Sequence, residues 1–290
     1  MRITGNTKLL GLFGWPVSHS FSPTMHNAAI SALGIDYAYL PLAVEPKRLR
    51  AAVAGLTALG FRGVNVTIPH KQAIMGYLSG ISKAADIIGA VNTLVADGHA
   101  GFTGDNTDWS GFLADLQARN VLIRGRDCIV LGAGGAARAI VYALLKNYAR
   151  VHLLARRQEA ADQLVQSMEL WFGSADISTA PLTSLPNLST VNPLIINTTP
   201  LGMTPKTKSS IWPDDLPIPR GAFVYDLVYN PRTTKLMRQA QQAGCQTCNG
   251  LGMLLHQGAQ SFKLWTGEEP DLAVMAAAIE GGLDNGCVSS

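Results

Sequence analysis

Apolar and polar positions along the chain switch repeatedly between two periods. LLGLFG (9–14), YAYLPLAV (37–44) and FRGVNVT (61–67) are short runs of apolar, β-branched and aromatic residues and predict strands. PTMHNAAISAL (23–33) and PKRLRAAVAGLTAL (46–59) repeat their apolar positions every three or four residues and predict helices. Pro69 suits the first turn of a further helix, where its missing N–H costs nothing, and Ser22 suits the N-cap of the helix that Pro23 opens. Asp97-Gly98, between AVNTLVA and HAGFTGDN, predicts a tight hairpin, so the first sheet is expected to be mixed. A helical stretch from Asp108 to Arg119 leads into RDCIVLGAGGAARAIVYALL, an apolar strand running through glycines directly into a helix. RVHLLA (150–155), PLIIN (193–197) and AFVYDLV (222–228) follow as strands separated by helical stretches. After Gly250, LGMLLHQGAQSFKLW and PDLAVMAAAIEGG have helical spacing, and the final DNGCVSS reads as frayed. The pattern is α/β, in two domains.

Composition narrows the partners. With 47% hydrophobic and 15% charged residues the chain is globular, and its 290 residues can fill two cores. A net charge of +3, with Lys and Arg spread along the chain, lacks the footprint of a nucleic-acid or anionic-membrane binder, so a small molecule is the expected partner. No apolar run reaches the roughly 18 residues of a membrane span, and the N-terminus has no signal-like stretch, so the expected compartment is the cytoplasm. Four cysteines include a lone CxxC at Cys245 and Cys248 without a second pair, which favours structural thiols over a metal site. Asn65 and Asn197 head formal glycosylation triplets, but without a secretion signal they are better read as site or turn residues.

Three stretches carry chemistry. Gly132-Ala133-Gly134-Gly135-Ala136-Ala137 is a GxGxxA placed between a strand and a helix, as in Rossmann-type dinucleotide sites. Gly132 would allow the turn and Gly134 the approach of a pyrophosphate, which the free N–H groups of the helix start would hold. At the end of the next strand stand Ala155, Arg156 and Arg157 in place of the carboxylate that an NAD site uses on the ribose hydroxyl; guanidinium groups there favour the 2′-phosphate of NADP. Ser20 and Ser22 put two hydroxyls beside a helix start, an arrangement that can bind a carboxylate. NVTIPHK (65–71) places an amide, a hydroxyl, an imidazole and an ammonium at a strand end, where α/β proteins hold ligands.

The segments GWPVSHSFSPTMHN, GVNVTIPHK, GAVNTL, GDNTDWSGF, VLGAGGAARA and NGLGMLLHQGAQSF occur in the order and spacing of the shikimate dehydrogenases, and the chain resembles that family over nearly its full length. The resemblance implies an N-terminal mixed-sheet α/β substrate domain (1–107), a Rossmann-type NADP-binding domain (108–249), and C-terminal helices (250–290) returning to the first domain, as a monomer or homodimer. Substrate and nicotinamide would then meet in an interdomain cleft. It implies NADPH-dependent, reversible reduction of 3-dehydroshikimate to shikimate, with Lys71 and Asp108 as the catalytic pair. Ser20 and Ser22 would bind the substrate carboxylate, and Asn65, Thr67, Asn92, Tyr229 and Gln257 the remaining substrate contacts. Beside the glycine motif and the arginines, the cofactor would touch Thr198, Val228, Gly250 and Met253. Reducing a ketone needs a positioned acid near the developing alkoxide; Lys71 can supply the proton and Asp108 can hold Lys71. His70 is expected to face away. No metal is expected. Glu159 departs from the cationic pattern of NADP-dependent members, and leaves NAD use as an alternative; quinate as a second substrate, or a non-catalytic NADP-binding module on the same scaffold, are the other readings.

Overall fold

A computed structural model describes residues 3–98, 101–187 and 190–286. In chain order its strands are β1 (Lys8–Gly14), β2 (Tyr37–Ala43), β3 (Gly63–Val66), β4 (Gly80–Ile81), β5 (Thr93–Ala96), β6 (Phe102–Asp105), β7 (Asp127–Leu131), β8 (Arg150–Ala155), β9 (Ile177–Pro181), β10 (Leu194–Asn197), β11 (Phe223–Asp226) and β12 (Gln246–Asn249). Its helices are α1 (Ser22–Leu33), α2 (Leu49–Ala58), α3 (Lys83–Ile88), α4 (Asp108–Ala118), α5 (Gly135–Lys146), α6 (Gln158–Phe172), α7 (Lys235–Gln242), α8 (Leu251–Thr266) and α9 (Leu272–Gly286). Contacts divide the chain into two compact units, Met1–Gly111 with Leu254–Ser290, and Phe112–Met253.

The first unit holds a mixed sheet in the order β2-β1-β3-β5-β6-β4, parallel from β2 to β3 and antiparallel from β3 through β5 to β6. Its core gathers Phe13, Val53, Leu56, Val64, Val66 and Leu94 from the strands and α2. The apolar positions of α1, including Met25, Ala29 and Ile30, are buried at spacings of three to four residues, and Gly34 ends the helix in the left-handed region at φ 65°.

The second unit is a parallel sheet in the order β12-β11-β10-β7-β8-β9. Counted within the unit from β7, that is the 3-2-1-4-5-6 order of the Rossmann fold, whose direction reverses between β7 and β10. All four residues of β10 are buried, as a strand covered on both faces requires. Ile129, Leu131, Leu154, Ile195, Val224 and Leu236 form its core.

Several local expectations are corrected. The run 46–59 opens as a 3₁₀ turn over Pro46–Arg48 before α2 begins at Leu49. Pro69 does not start a helix: the Ile68–Pro69 bond is cis, and the next helical element is a 3₁₀ turn over Ala73–Tyr77. Ser22 is the first residue of α1, not its cap; Phe21 holds the cap position without a side-chain hydrogen bond, and the Ser22 N–H donates to Ser20 Oγ at 3.2 Å. β5 and β6 pair antiparallel as expected, but their connection runs over residues 97–101, closed by Asp97 N–H to Gly101 O at 3.1 Å; His99 and Ala100 within it lie outside the described residues. The expected C-terminal fraying gives way to helix as far as Gly286, and Cys287–Ser290 lie outside the described residues.

Candidate active site

In the first unit the ends of β3, β5 and β6, the start of α4 and the middle of α8 bring amides, hydroxyls and one ion pair together. Lys71 Nζ donates to Asp108 Oδ2, with 14% and 7% of the two side chains exposed, so the pair is largely withdrawn from water. Asp108 opens α4, where the helix dipole favours a negative charge, and its N–H donates to Asn106 Oδ1 at 3.0 Å. Asn92 Nδ2 lies 2.9 Å from the other oxygen of Asp108, 3.0 Å from Thr107 Oγ1 and 3.2 Å from Gln257 Oε1. Asn92 Oδ1 accepts from the Thr107 N–H at 2.7 Å and from Thr93 Oγ1 at 2.9 Å. With its oxygen engaged by donors and its nitrogen by acceptors, the Asn92 amide has one orientation. Gln257 reaches this point because α4 carries Gly111, where an added Cβ would stand 2.7 Å from the backbone nitrogen of Gln257.

Asn65 forms the neighbouring wall. Its Oδ1 accepts from the Tyr39 hydroxyl at 2.8 Å, and its Nδ2 donates to Ser261 Oγ at 3.0 Å. Burial pushes the Tyr39 phenol well above its ordinary pKa, which keeps the hydroxyl a donor. Ser20 Oγ donates to Ser22 Oγ at 3.2 Å, and Ser22 is buried at the start of α1. Thr67 is partly exposed, one residue past β3, its N–H donating to Phe13 O at 2.8 Å. His70 is 1% exposed and its Nε2 bonds to Val44 O at 2.7 Å, so it faces the core as expected. The first unit therefore gathers Lys71, Asp108, Asn65, Asn92 and Gln257 in one hydrogen-bonded network, with Thr107, Thr93 and Ser261 as members the sequence reading left out. Thr93 and Thr107 adjoin Asn92 and Asp108 in the motifs, and Ser261 stands one helical turn beyond Gln257; those neighbourhoods were the available signal.

In the second unit the loop after β7 has the geometry expected of a pyrophosphate cradle. Gly132 has φ +112° and lies so close to β10 that an added Cβ would stand 2.7 Å from Thr198 Oγ1, whereas a Cβ on Gly134 would meet nothing within 4 Å. Gly134 caps α5, whose first residues are Gly135 and Ala136, so the helix start offers N–H groups into that open space. Thr198, opposite Gly132, is fixed by its hydroxyl donating to Leu131 O at 2.8 Å. Ala155 ends β8 and is buried; Arg156 and Arg157 follow, exposed, and their side chains make no ion pair or hydrogen bond among the described residues. These features fit a phosphorylated dinucleotide. Val228, Tyr229, Gly250 and Met253 also belong to this unit: Val228 N–H donates to Asp226 Oδ1 at 3.1 Å, and Gly250 sits where a Cβ would stand 2.1 Å from Leu227 O. Cys128, Cys245 and Cys248 are buried free thiols, and burial pushes Cys128 and Cys248 up to about 12. Among the described residues no cluster of His, Cys, Asp and Glu has the form of a metal site, and no helix is long and apolar enough to cross a membrane.

Fold and site together define a two-unit α/β protein with a Rossmann-type half and a polar hydrogen-bonded cluster built around a lysine–aspartate pair. Residues 12–94 match the shikimate dehydrogenase substrate binding domain, and residues 250–280 the shikimate 5′-dehydrogenase C-terminal domain. The chain is 44% identical over 283 residues to a shikimate dehydrogenase (NADP(+)) of Citrifermentans bemidjiense, covering 96% of this chain and 97% of that one. A shikimate dehydrogenase solved in complex with NADP+ superposes with a TM-score of 0.89 at 39% identity, over 97% of this chain and 98% of that one. A Listeria monocytogenes shikimate 5-dehydrogenase, solved with shikimate and NAD, gives 0.84 at 35% identity, over 96% and 98%. This chain belongs to the shikimate dehydrogenase family.

Proposed function

We propose that this chain reduces 3-dehydroshikimate to shikimate with NADPH, reversibly, in the pathway to chorismate and the aromatic amino acids, and that Lys71 and Asp108 handle the proton. Relatives of that activity align over almost the whole chain; one solved relative holds NADP+ and another holds shikimate with NAD. The observation that carries the residue assignment is the lysine–aspartate pair held by Asn92 and Gln257. NADPH, when bound, supplies a hydride to the ketone carbon. The chain must supply the proton for the resulting alkoxide, and Lys71 is the acid, its charge kept in the pocket by the Asp108 carboxylate. Asp108 also accepts from the substrate hydroxyl and so fixes the ring against Lys71. In the oxidative direction neutral Lys71 takes the same proton back.

Asn65, Asn92 and Gln257 donate and accept at once, which suits a ring carrying several hydroxyls, while Thr67 completes that wall. Ser20 and Ser22 hold the carboxylate, aided by the positive end of α1. On the cofactor side the turn of Gly132 to Ala136 takes the pyrophosphate, Ala155 to Arg157 the adenosine end with its 2′-phosphate, and Thr198, Val228, Gly250 and Met253 the nicotinamide end, with Tyr229 on the substrate. Unpaired Arg156 and Arg157 support NADP over NAD. A panel of shikimate and quinate, each with NADP+ and NAD+, tests the reading: shikimate with NADP+ should give the highest kcat/KM. A higher value with NAD+ would remove the phosphate clamp, one with quinate would change the substrate, and no turnover in any arm would leave only a binding module.

A further inference from the structure

Behind the loops that follow β10 and β11 lies a carboxylate that neither the catalytic pair nor the phosphate cradle uses. Asn197 and Asp226 are the last residues of adjacent parallel strands and are register partners. Both are 0% exposed. Asp226 Oδ1 accepts from Asn197 Nδ2 at 2.8 Å and from the Val228 N–H at 3.1 Å, and its Oδ2 accepts from Thr234 Oγ1 at 2.6 Å. No cation pairs with it among the described residues. A buried, unpaired carboxylate is costly to keep, and here only hydrogen bonds from three separate segments offset the cost.

Those segments carry two of the residues assigned to the nicotinamide end, Thr198 directly after Asn197 and Val228 itself. Asn197 Oδ1 accepts from the N–H and hydroxyl of Thr199, at 3.0 and 2.7 Å, which fixes the loop that starts with Thr198. Thr234 caps α7 by accepting from the Met237 N–H at 3.2 Å, and so anchors the far end of the second loop. One acceptor-only group thus sets the conformation of both loops.

We propose that Asp226 is a positioning residue for the nicotinamide end of the cofactor, acting through Asn197, Val228 and Thr234. The proposal rests on the cofactor reading above. Its signature is a split between the two ends of NADP, because the adenosine end is held at the β8–α6 junction by groups that Asp226 does not touch. An amide in its place keeps the shape but turns one acceptor into a donor, so either the Thr234 hydroxyl loses the acceptor for its proton or, with the amide turned over, Asn197 Nδ2 and the Val228 N–H lose theirs.

The test measures binding of adenosine 2′,5′-bisphosphate, which lacks the nicotinamide, beside steady-state kinetics with NADP+, in wild type, Asp226→Asn and Thr234→Val. Expected are a KM for NADP+ raised about tenfold, as loss of a charge-assisted hydrogen bond brings, a lowered kcat, a shikimate KM close to wild type, and affinity for the bisphosphate within about twofold of wild type. Thermal melts identify a variant that fails to fold, in which case the other one decides. Unchanged NADP+ kinetics in the folded variants, or a fall in bisphosphate affinity parallel to that for NADP+, would overturn the proposal. Failure of the wild type to bind the bisphosphate would instead remove the cofactor reading beneath it.

Discussion

His26, fully buried, stacks on the Tyr39 ring at 4.4 Å between centroids, with Phe262 and Trp265 close by, and neither of its nitrogens has a hydrogen-bond partner. Burial lowers its pKa from 6.5 to about 3. Between those values the unfolded chain binds a proton that the folded chain refuses, so this contribution to stability is complete above pH 6.5 and is lost as the pH falls toward 3. His26→Phe keeps a ring in the stack and should remove that slope, which amounts to about 2 kcal/mol between pH 7 and pH 5; urea unfolding at the two pH values reads it, and an unchanged slope would contradict it. Asp226 has the opposite sign. Burial raises it from 3.8 to about 6, so the folded chain binds the proton more tightly and stability from this group grows as the pH falls across that window. Asp226→Asn should abolish that gain in the same measurement. Arg156 and Arg157 are independent of both: replacing them together with Ala should raise the KM for NADP+ at least about tenfold and leave NAD+ kinetics nearly unchanged. Equal effects on the two cofactors would contradict the assignment.

Helix α4 places Asp108 at its start and Gly111 one turn later, and the missing side chain at 111 is what lets α8 bring Gln257 beside Asn92. Gly111→Ala puts a Cβ 2.7 Å from Gln257 backbone; it should destabilise the protein by about 1–3 kcal/mol and raise the shikimate KM. Calorimetry and kinetics check both, and a stable variant with normal KM would refute this account of the crossing. Such close approaches are hardly visible in sequence, because a glycine kept for contact reads the same as one in a loop. The alternation of β1, α1, β2, α2 and β3, and the strand-glycine-helix passage from β7 to α5, were legible because period and punctuation agreed. Pro69 and Ser22 misled because each residue type suits a helix start while the local backbone took another course: a cis bond and turn at 69, and Phe21 in the cap position at 21. The motif residues of the pocket were legible as amides and hydroxyls. Ser261, Tyr39 and Asp226 were not, since a hydroxyl in a helix, a tyrosine in a strand and an aspartate at a strand end each have commoner explanations as core or turn residues.

At the scale of the molecule each unit has its own contiguous core, and the proposed ligands divide between them: the catalytic pair and ring-binding amides in the first unit, the phosphate cradle and arginines in the second. A ligand that binds only the native state stabilises it by mass action, so NADP+ at 100 times its Kd should add about 2.7 kcal/mol and raise the melting temperature. The proposed chemistry rests on one amine. The direct measurement is the rate of NADPH oxidation with 3-dehydroshikimate by Lys71→Ala, together with the affinity of that variant for shikimate. Loss of a general acid predicts a kcat lower by about 10²–10⁴, with shikimate affinity changed far less. A kcat within a few-fold of wild type would contradict the assignment of the proton to Lys71.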